Sequence, residues 1–262
     1  MKTMPHANNR GVQIHYEIEG NGPPLVLLHG LDGNLETFRE YGYVEALKDK
    51  YQLILIDVRG HGASDKPHDP EAYQMKTLVA DVVAVLDHLR IDKAHFLGYS
   101  MGGWIGFGIA KYAPEHFYSL ILGGTHPYKP NADEQAELDY YIQLYKKGND
   151  ALIAEEEKQL GLEMTPYMRA RCMASDTKAI VALMSSEDCI RSFEEVLPTM
   201  NMPCLVYAGE NDGAYSGAKK CVESMPNATF VSLPGFDHRG ALHQSSIILP
   251  HITKFLKKVG QA

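Results

Sequence analysis

Ser100 stands in Gly98-Tyr99-Ser100-Met101-Gly102, after a short apolar strand, Ala94–Gly98. Behind it Trp104, Ile105, Phe107, Gly108 and Ala110 form an apolar, small-residue run that reads as a tightly packed helix. A serine between strand and helix, with a glycine two residues away on each side, has the pattern of a nucleophile elbow. Side chains at the flanking positions would strike the neighbouring backbone of so sharp a turn, and Gly98 and Gly102 remove them. The hydroxyl then stands beside the free N–H groups of a helix start, where negative charge is stabilised. A serine hydroxyl is a weak nucleophile at neutral pH; it needs a base, and the base needs a group to orient it. Asp212, in the loop Gly209–Gly213, follows the strand Leu205–Ala208, and His238 follows the strand Thr229–Leu233. The chain has twelve histidines, and His238 is the one standing where the third member is required. The chemistry in view is attack of Ser100 on a carbonyl carbon.

Two more segments belong to the same pattern. Pro24–Gly30 (PLVLLHG) is an apolar strand running into His-Gly, and Asp57–Ser64 (DVRGHGAS) follows the strand Gln52–Ile56. With the order serine, acid, histidine, each after a strand, they resemble the α/β-hydrolase fold superfamily, in its branch of small esterases, lactonases and cofactor-free perhydrolases. The resemblance runs from the Val12–Glu19 strand to the final helix and is weakest between about Thr125 and Asp188. It implies an oxyanion hole made of the backbone N–H groups of Leu31 and Met101. The activity it implies is hydrolysis of a small carboxylic ester or lactone: Ser100 attacks, His238 carries the proton, Asp212 fixes the imidazole tautomer. No cofactor and no metal is called for. An aspartate in place of Ser100 would mark an epoxide hydrolase or a haloalkane dehalogenase. A C–C bond hydrolase, an aminopeptidase or a perhydrolase would keep the same three residues, and a ligand receptor with vestigial turnover would keep the fold.

The elements needed to hold these residues alternate along the chain. Phe38, Tyr41, Val44 and Leu47 recur at helical spacing, and Leu78, Val79, Val82, Val83, Leu86 and Leu89 form an amphipathic stripe with Asp81 and Asp87 on other faces. The pattern resumes with a helix over Ile190–Leu197, a strand, a helix over Ala218–Met225, the strand Ala228–Leu233 and a closing helix near Ile247–Val259. Such alternation specifies an α/β fold, a mostly parallel central sheet with helices on both faces. From Pro127 to Glu187 no strand is legible and four helical stretches follow one another. This reads as a helical cap, residues 127–187, inserted into a core of residues 1–126 and 188–262 and lying over the Ser100 end of the sheet. Asp32 near the first site loop, and His126 and Tyr128 at the junction of sheet and cap, are candidate substrate contacts. Tyr140, Tyr141, Tyr145, Tyr167 and Met184 either line the pocket or pack the cap. His29, Arg59, His61 and Ser64 read as loop-holding residues. Glu210 is the nearest rival of Asp212, and Asp237 lacks the position of the acid.

Composition excludes other classes. A chain of 262 residues can bury one large core. A net charge of −8 without a basic block argues against nucleic acid as a partner. The start, MKTMPHANNRG, is too short and polar for a signal peptide, and no apolar run approaches the roughly 18 residues that span a bilayer. Cys172, Cys189, Cys204 and Cys221 lack metal-site spacing and read as free thiols of a cytoplasmic protein. The partner expected is a small ester or lactone, not a membrane, and nothing in the composition selects an oligomeric state.

Overall fold

The computed structural model describes residues 5–260 apart from residue 32, and only the backbone of Leu160, Tyr167 and Ile190. In chain order the elements are β1 (His6–Asn9), β2 (Val12–Glu19), β3 (Pro24–Leu28), α1 (Glu36–Glu40), α2 (Tyr43–Leu47), β4 (Gln52–Ile56), α3 (Met75–Leu89) and β5 (Ala94–Tyr99). Next come α4 (Met101–Tyr112), β6 (Phe117–Gly123), α5 (Ala132–Lys146), α6 (Asn149–Leu160), α7 (Pro166–Met173) and α8 (Thr177–Met184). Then follow β7 (Cys204–Gly209), α9 (Tyr215–Cys221), β8 (Ala228–Leu233), α10 (His238–His243) and α11 (Ser245–Val259). The eight strands form one sheet in the order β1-β2-β4-β3-β5-β6-β7-β8. The first two pairings are antiparallel and all later ones parallel.

Both faces of the sheet are covered, as the continuous apolar runs of its central strands require. Successive side chains of a strand point to opposite faces. Val26, Leu28, Ile54, Ile56 and Phe96 accordingly join one core with Leu78, Val82 and Phe107, while Leu25, Leu27, Leu53, Leu55 and Leu97 join another with Phe38, Tyr43, Ile248 and Ile252. Between β6 and β7 the described residues form helices and no strand. Among the described residues, no helix is long and apolar enough to cross a membrane.

Three local expectations change and one strand is added. The helix expected across Phe38–Leu47 is two short helices, because Gly42 takes φ 79° and breaks the hydrogen-bond ladder. The helix expected over Ile190–Leu197 is two 3₁₀ turns, Glu187–Ile190 and Glu194–Thr199, and Pro198 in the second has no N–H to extend it. Strand β1 has no forecast: Arg10 (φ 52°) and Gly11 (φ 92°) turn the chain left-handedly and lay β1 against β2 and α3. Asp81 is buried rather than solvent-facing, because Arg59 (Nε 2.8 Å, Nη2 2.6 Å) and Asn9 of β1 (2.7 Å) reach its carboxylate.

Candidate active site

Chain winding opens the site. From β3 the chain moves outward to β4, then returns to the other side of β3 for β5. At such a reversal the loops leaving two neighbouring strands part, and a crevice opens beyond their carboxyl ends. The loop after β3 carries Gly30 and Leu31; the turn after β5 carries Ser100. That serine holds φ 53° and ψ −115°, a conformation costing a non-glycine residue about 1–3 kcal/mol. Two backbone bonds hold it there: Ser100 N–H donates to Gly123 C=O (2.8 Å), and Trp104 N–H donates to Ser100 C=O (2.8 Å). The flanking glycines are required by contact. A Cβ on Gly98 would strike the Gly102 carbonyl, and one on Gly102 the Leu28 carbonyl.

Ser100, His238 and Asp212 meet. His238 Nε2 lies 3.0 Å from Ser100 Oγ, and His238 Nδ1 lies 2.9 Å from Asp212 Oδ2. The other carboxylate oxygen accepts the Ala214 N–H at 2.9 Å, so Asp212 is held from both sides. A carboxylate facing Nδ1 selects the tautomer with its proton there and leaves the Nε2 lone pair toward the serine. The acid is shielded and the base is open: the side chains are 3% and 43% exposed. Asp237 caps α10 by accepting the Gly240 N–H at 2.7 Å. Glu210 accepts from Ser232 Oγ at 3.1 Å, on the exposed side of its loop.

The Gly30–Leu31 peptide is pinned from behind by residues expected to hold loops. His29, fully buried, donates from Nδ1 to Gly30 C=O (2.7 Å) and accepts the Val58 N–H at Nε2 (3.1 Å). A trans peptide points its C=O and N–H in opposite directions, so anchoring the Gly30 oxygen on His29 aims the Leu31 N–H away from it. That ring stays neutral: burial, then the nearby His61, lowers its pKa to about 4. His61 Nε2 donates to Leu31 C=O at 2.7 Å. Asp57 gathers the Leu35 N–H (2.8 Å), the Ala63 N–H (2.8 Å) and the His15 Nδ1 (2.7 Å). Burial pushes its carboxyl up, but the His15 bond, the His29 ring and the two backbone donors together pull its pKa down to about 2. Ser64 Oγ donates to Asp57 C=O (2.7 Å) and accepts the His15 N–H (2.8 Å). Neither the Leu31 nor the Met101 N–H has an acceptor among the described residues.

Two cavities meet at Leu31 and Ser100. One, of about 200 Å³, is lined also by Tyr99, Tyr141, Tyr145, Arg171 and His238. The other, of about 300 Å³, is lined by Met101, Trp104, Leu138 and Met184, and by His126 and Tyr128. Both ring nitrogens of His126 are engaged, Nε2 with Glu134 (2.8 Å) and Nδ1 with the Tyr128 N–H (3.3 Å), so a ligand meets its ring and not a free nitrogen. Tyr140 faces outward, 46% exposed. Asp32 and the Tyr167 side chain lie outside the described residues. Sequence reasoning singled out neither Tyr99, whose hydroxyl donates to the His238 carbonyl, nor Arg171 and Arg239, which line the smaller cavity. Position beside Ser100 and His238 is the signal for Tyr99 and Arg239; Arg171 has none.

A family model described as alpha/beta hydrolase fold matches residues 23–164, more than half of the chain. Over 116 residues the chain is 39% identical to 3-oxoadipate enol-lactonase 2 of Acinetobacter baylyi, a match covering 44% of this chain and 42% of that one. The AB hydrolase superfamily protein YisY of Bacillus subtilis is 27% identical over 260 residues, 93% of each chain. The matched region thus spans less than half the length of the lactonase. Among solved structures, an esterase from Exiguobacterium antarcticum superposes with a TM-score of 0.84 at 21% identity, over 98% of this chain and 100% of that one. That last likeness is one of fold.

Proposed function

Because the chain belongs to the α/β-hydrolase fold family, we propose that it is a serine hydrolase of a small carboxylic ester or lactone. The observation that carries this reading is the hydrogen-bonded run from Ser100 Oγ through His238 to Asp212. In the first half-reaction a bond forms between Oγ and the carbonyl carbon while His238 Nε2 takes the hydroxyl proton. The N–H groups of Leu31 and Met101 receive the negative charge that develops on the carbonyl oxygen. The ester C–O bond then breaks, and the proton on Nε2 passes to the leaving alcohol. Water deacylates Ser100 by the same path, giving the acid. Asp212 stays ionised throughout and stabilises the imidazolium. The helices between residues 127 and 187 act as a cap that shapes the entrance, and the enol-lactonase and esterase names among its relatives and structural neighbours favour the ester and lactone class.

The test is a panel of p-nitrophenyl esters of increasing chain length, with several lactones, together with an organophosphonate. Turnover on at least one substrate within the usual ~1–10³ s⁻¹ is expected, with a single label, at Ser100. Labelling elsewhere refutes the assignment of the nucleophile. Turnover slower than about one per minute on every substrate, with tight ligand binding, makes the protein a receptor instead; the usual enzymatic range lies far above that rate.

A further inference from the structure

The two cavities at Ser100 differ in chemistry. His238 lines only the smaller one, and Met101, a candidate oxyanion donor, lines only the larger. In acyl transfer the proton taken by the base must return to the leaving oxygen. The leaving group therefore departs on the side where the imidazole stands, and the group that stays on the serine takes the other side. Trp104, Leu138, Leu183 and Met184 wall the larger cavity and suit an apolar acyl group.

The smaller cavity has two cations at its wall, and they are compensated differently. Arg239 is matched by Glu156 at both terminal nitrogens, and Glu156 itself lines the cavity, so that charge is cancelled in place. Arg171 reaches Glu40 through Nη1 alone (2.8 Å), and Glu40 does not line the cavity. Arg171 thus lines the cavity while its counter-ion does not. Among the described residues that line the cavity the one carboxylate is Glu156, already held by Arg239. The Tyr41 hydroxyl lies within hydrogen-bonding reach of the guanidinium, and the Tyr41 ring stacks on His243 at 4.0 Å. Burial, then the charges of Arg239 and Arg171, lower the pKa of His243 and keep that ring neutral. A planar fork of donors whose counter-ion does not line the cavity is a receptor for a carboxylate.

We infer that Arg171 determines specificity by binding a carboxylate on the leaving group, so that the preferred substrate is an ester joining an apolar acid to a hydroxy acid. The inference rests on the acyl-enzyme reading above. Burying a carboxylate against the α7 arginine also places the scissile bond between the two cavities with one orientation, because the cation lining the acyl side, Arg191, is exposed and already held by two carboxylates. The Arg191 side chain is 62% exposed and tied to Glu187 (3.1 Å) and Asp188.

The test compares 4-carboxyphenyl butyrate with its uncharged isostere, 4-carbamoylphenyl butyrate. The wild type should favour the carboxylate ester in kcat/KM by tenfold or more, the difference residing in KM. Arg171→Gln should bring the ratio close to one, and Arg171→Lys should restore part of it. A second measurement needs no variant: 4-hydroxybenzoate should inhibit the wild type at least tenfold more strongly than 4-hydroxybenzamide. Monophenyl adipate, which carries its carboxylate on the acyl side, should show no Arg171-dependent advantage over phenyl hexanoate. A wild-type ratio near one, a ratio that survives Arg171→Gln, or an Arg171-dependent preference for the adipate each overturns the inference while leaving the hydrolase reading intact. Loss of turnover on every ester, with Ser100 unlabelled by the organophosphonate, sinks the hydrolase reading and this one with it.

Discussion

Replacing His29 separates two roles that its ring combines. One nitrogen holds the Gly30 carbonyl and so aims the Leu31 N–H; the other satisfies the buried Val58 N–H. His29→Leu removes both bonds. The Gly30 carbonyl is then held only by the Gly33 N–H (3.0 Å), so the Leu31 N–H loses its aim and kcat falls by up to about 10²–10³, the cost of an oxyanion donor. His29→Asn can still donate to Gly30 C=O from its amide nitrogen but is too short to reach Val58. It should keep most of kcat while losing about 1–3 kcal/mol of stability for the unsatisfied N–H. Titration adds an independent readout. The folded pKa of His29 is held at about 4, below the ordinary 6.5, so the unfolded chain binds the extra proton first as pH falls. The stability linked to this ring is complete above pH ~6.5 and declines toward pH ~4, by about 3 kcal/mol for a shift of that size. Below that the Asp57 carboxyl, held down at about 2, adds a second decline as pH drops from ~3.8. Urea denaturation at a series of pH values should show the first decline in the wild type and a shallower one in both His29 variants, where His95 and His243, whose pKa values burial also lowers, still contribute. Steady-state kinetics on an ester then decide the positioning role. A kcat within threefold of wild type for His29→Leu, or equal losses in the Leu and Asn variants, would refute it.

Ser100→Ala should abolish hydrolysis with the circular dichroism spectrum and melting temperature nearly unchanged; substantial residual activity would remove Ser100 from its role. Asp212→Asn should lower kcat by up to about 10⁴, while Glu210→Gln should stay within a few fold, and the reverse ranking would move the acid to Glu210. Tyr99→Phe deletes the hydroxyl bonded to the His238 carbonyl and should cost about 0.5–1.5 kcal/mol in chemical denaturation, with a measurable drop in kcat as the imidazole loses its register; unchanged values for both would make that bond incidental. Met184→Trp should narrow the larger cavity and shift acyl preference toward acetate, leaving the alcohol series in its wild-type order, and a shift in the alcohol series instead would exchange the roles of the two cavities.

What the chain states in its own order is local. Glycines at 98 and 102 about Ser100, and apolar runs ending at His29-Gly30, Asp57, Ala208 and Leu233, are patterns in which cause and consequence lie within a few residues. Turn sterics and strand burial act at that range, so the strands, the sharp turn and the order serine, acid, histidine are legible without coordinates. Contact across the chain is not legible in the same way. Ser100 and His238 are 138 residues apart, and Asp212 and His238 are 26 apart; only the winding of the sheet brings the loops after β5, β7 and β8 together. Asp81 looks like a surface carboxylate until β1 folds over α3 with Arg59 beneath it. Arg171 is the extreme case. Helix α7 has no fully buried residue among those described, and Met168 and Cys172 are too short a stripe to announce a face. Tertiary structure alone puts that arginine in the wall of the cavity that Ser100 lines, where polar bonds of Arg169 to Glu157 and of Arg171 to Glu40 join the packing of Met168 and Cys172.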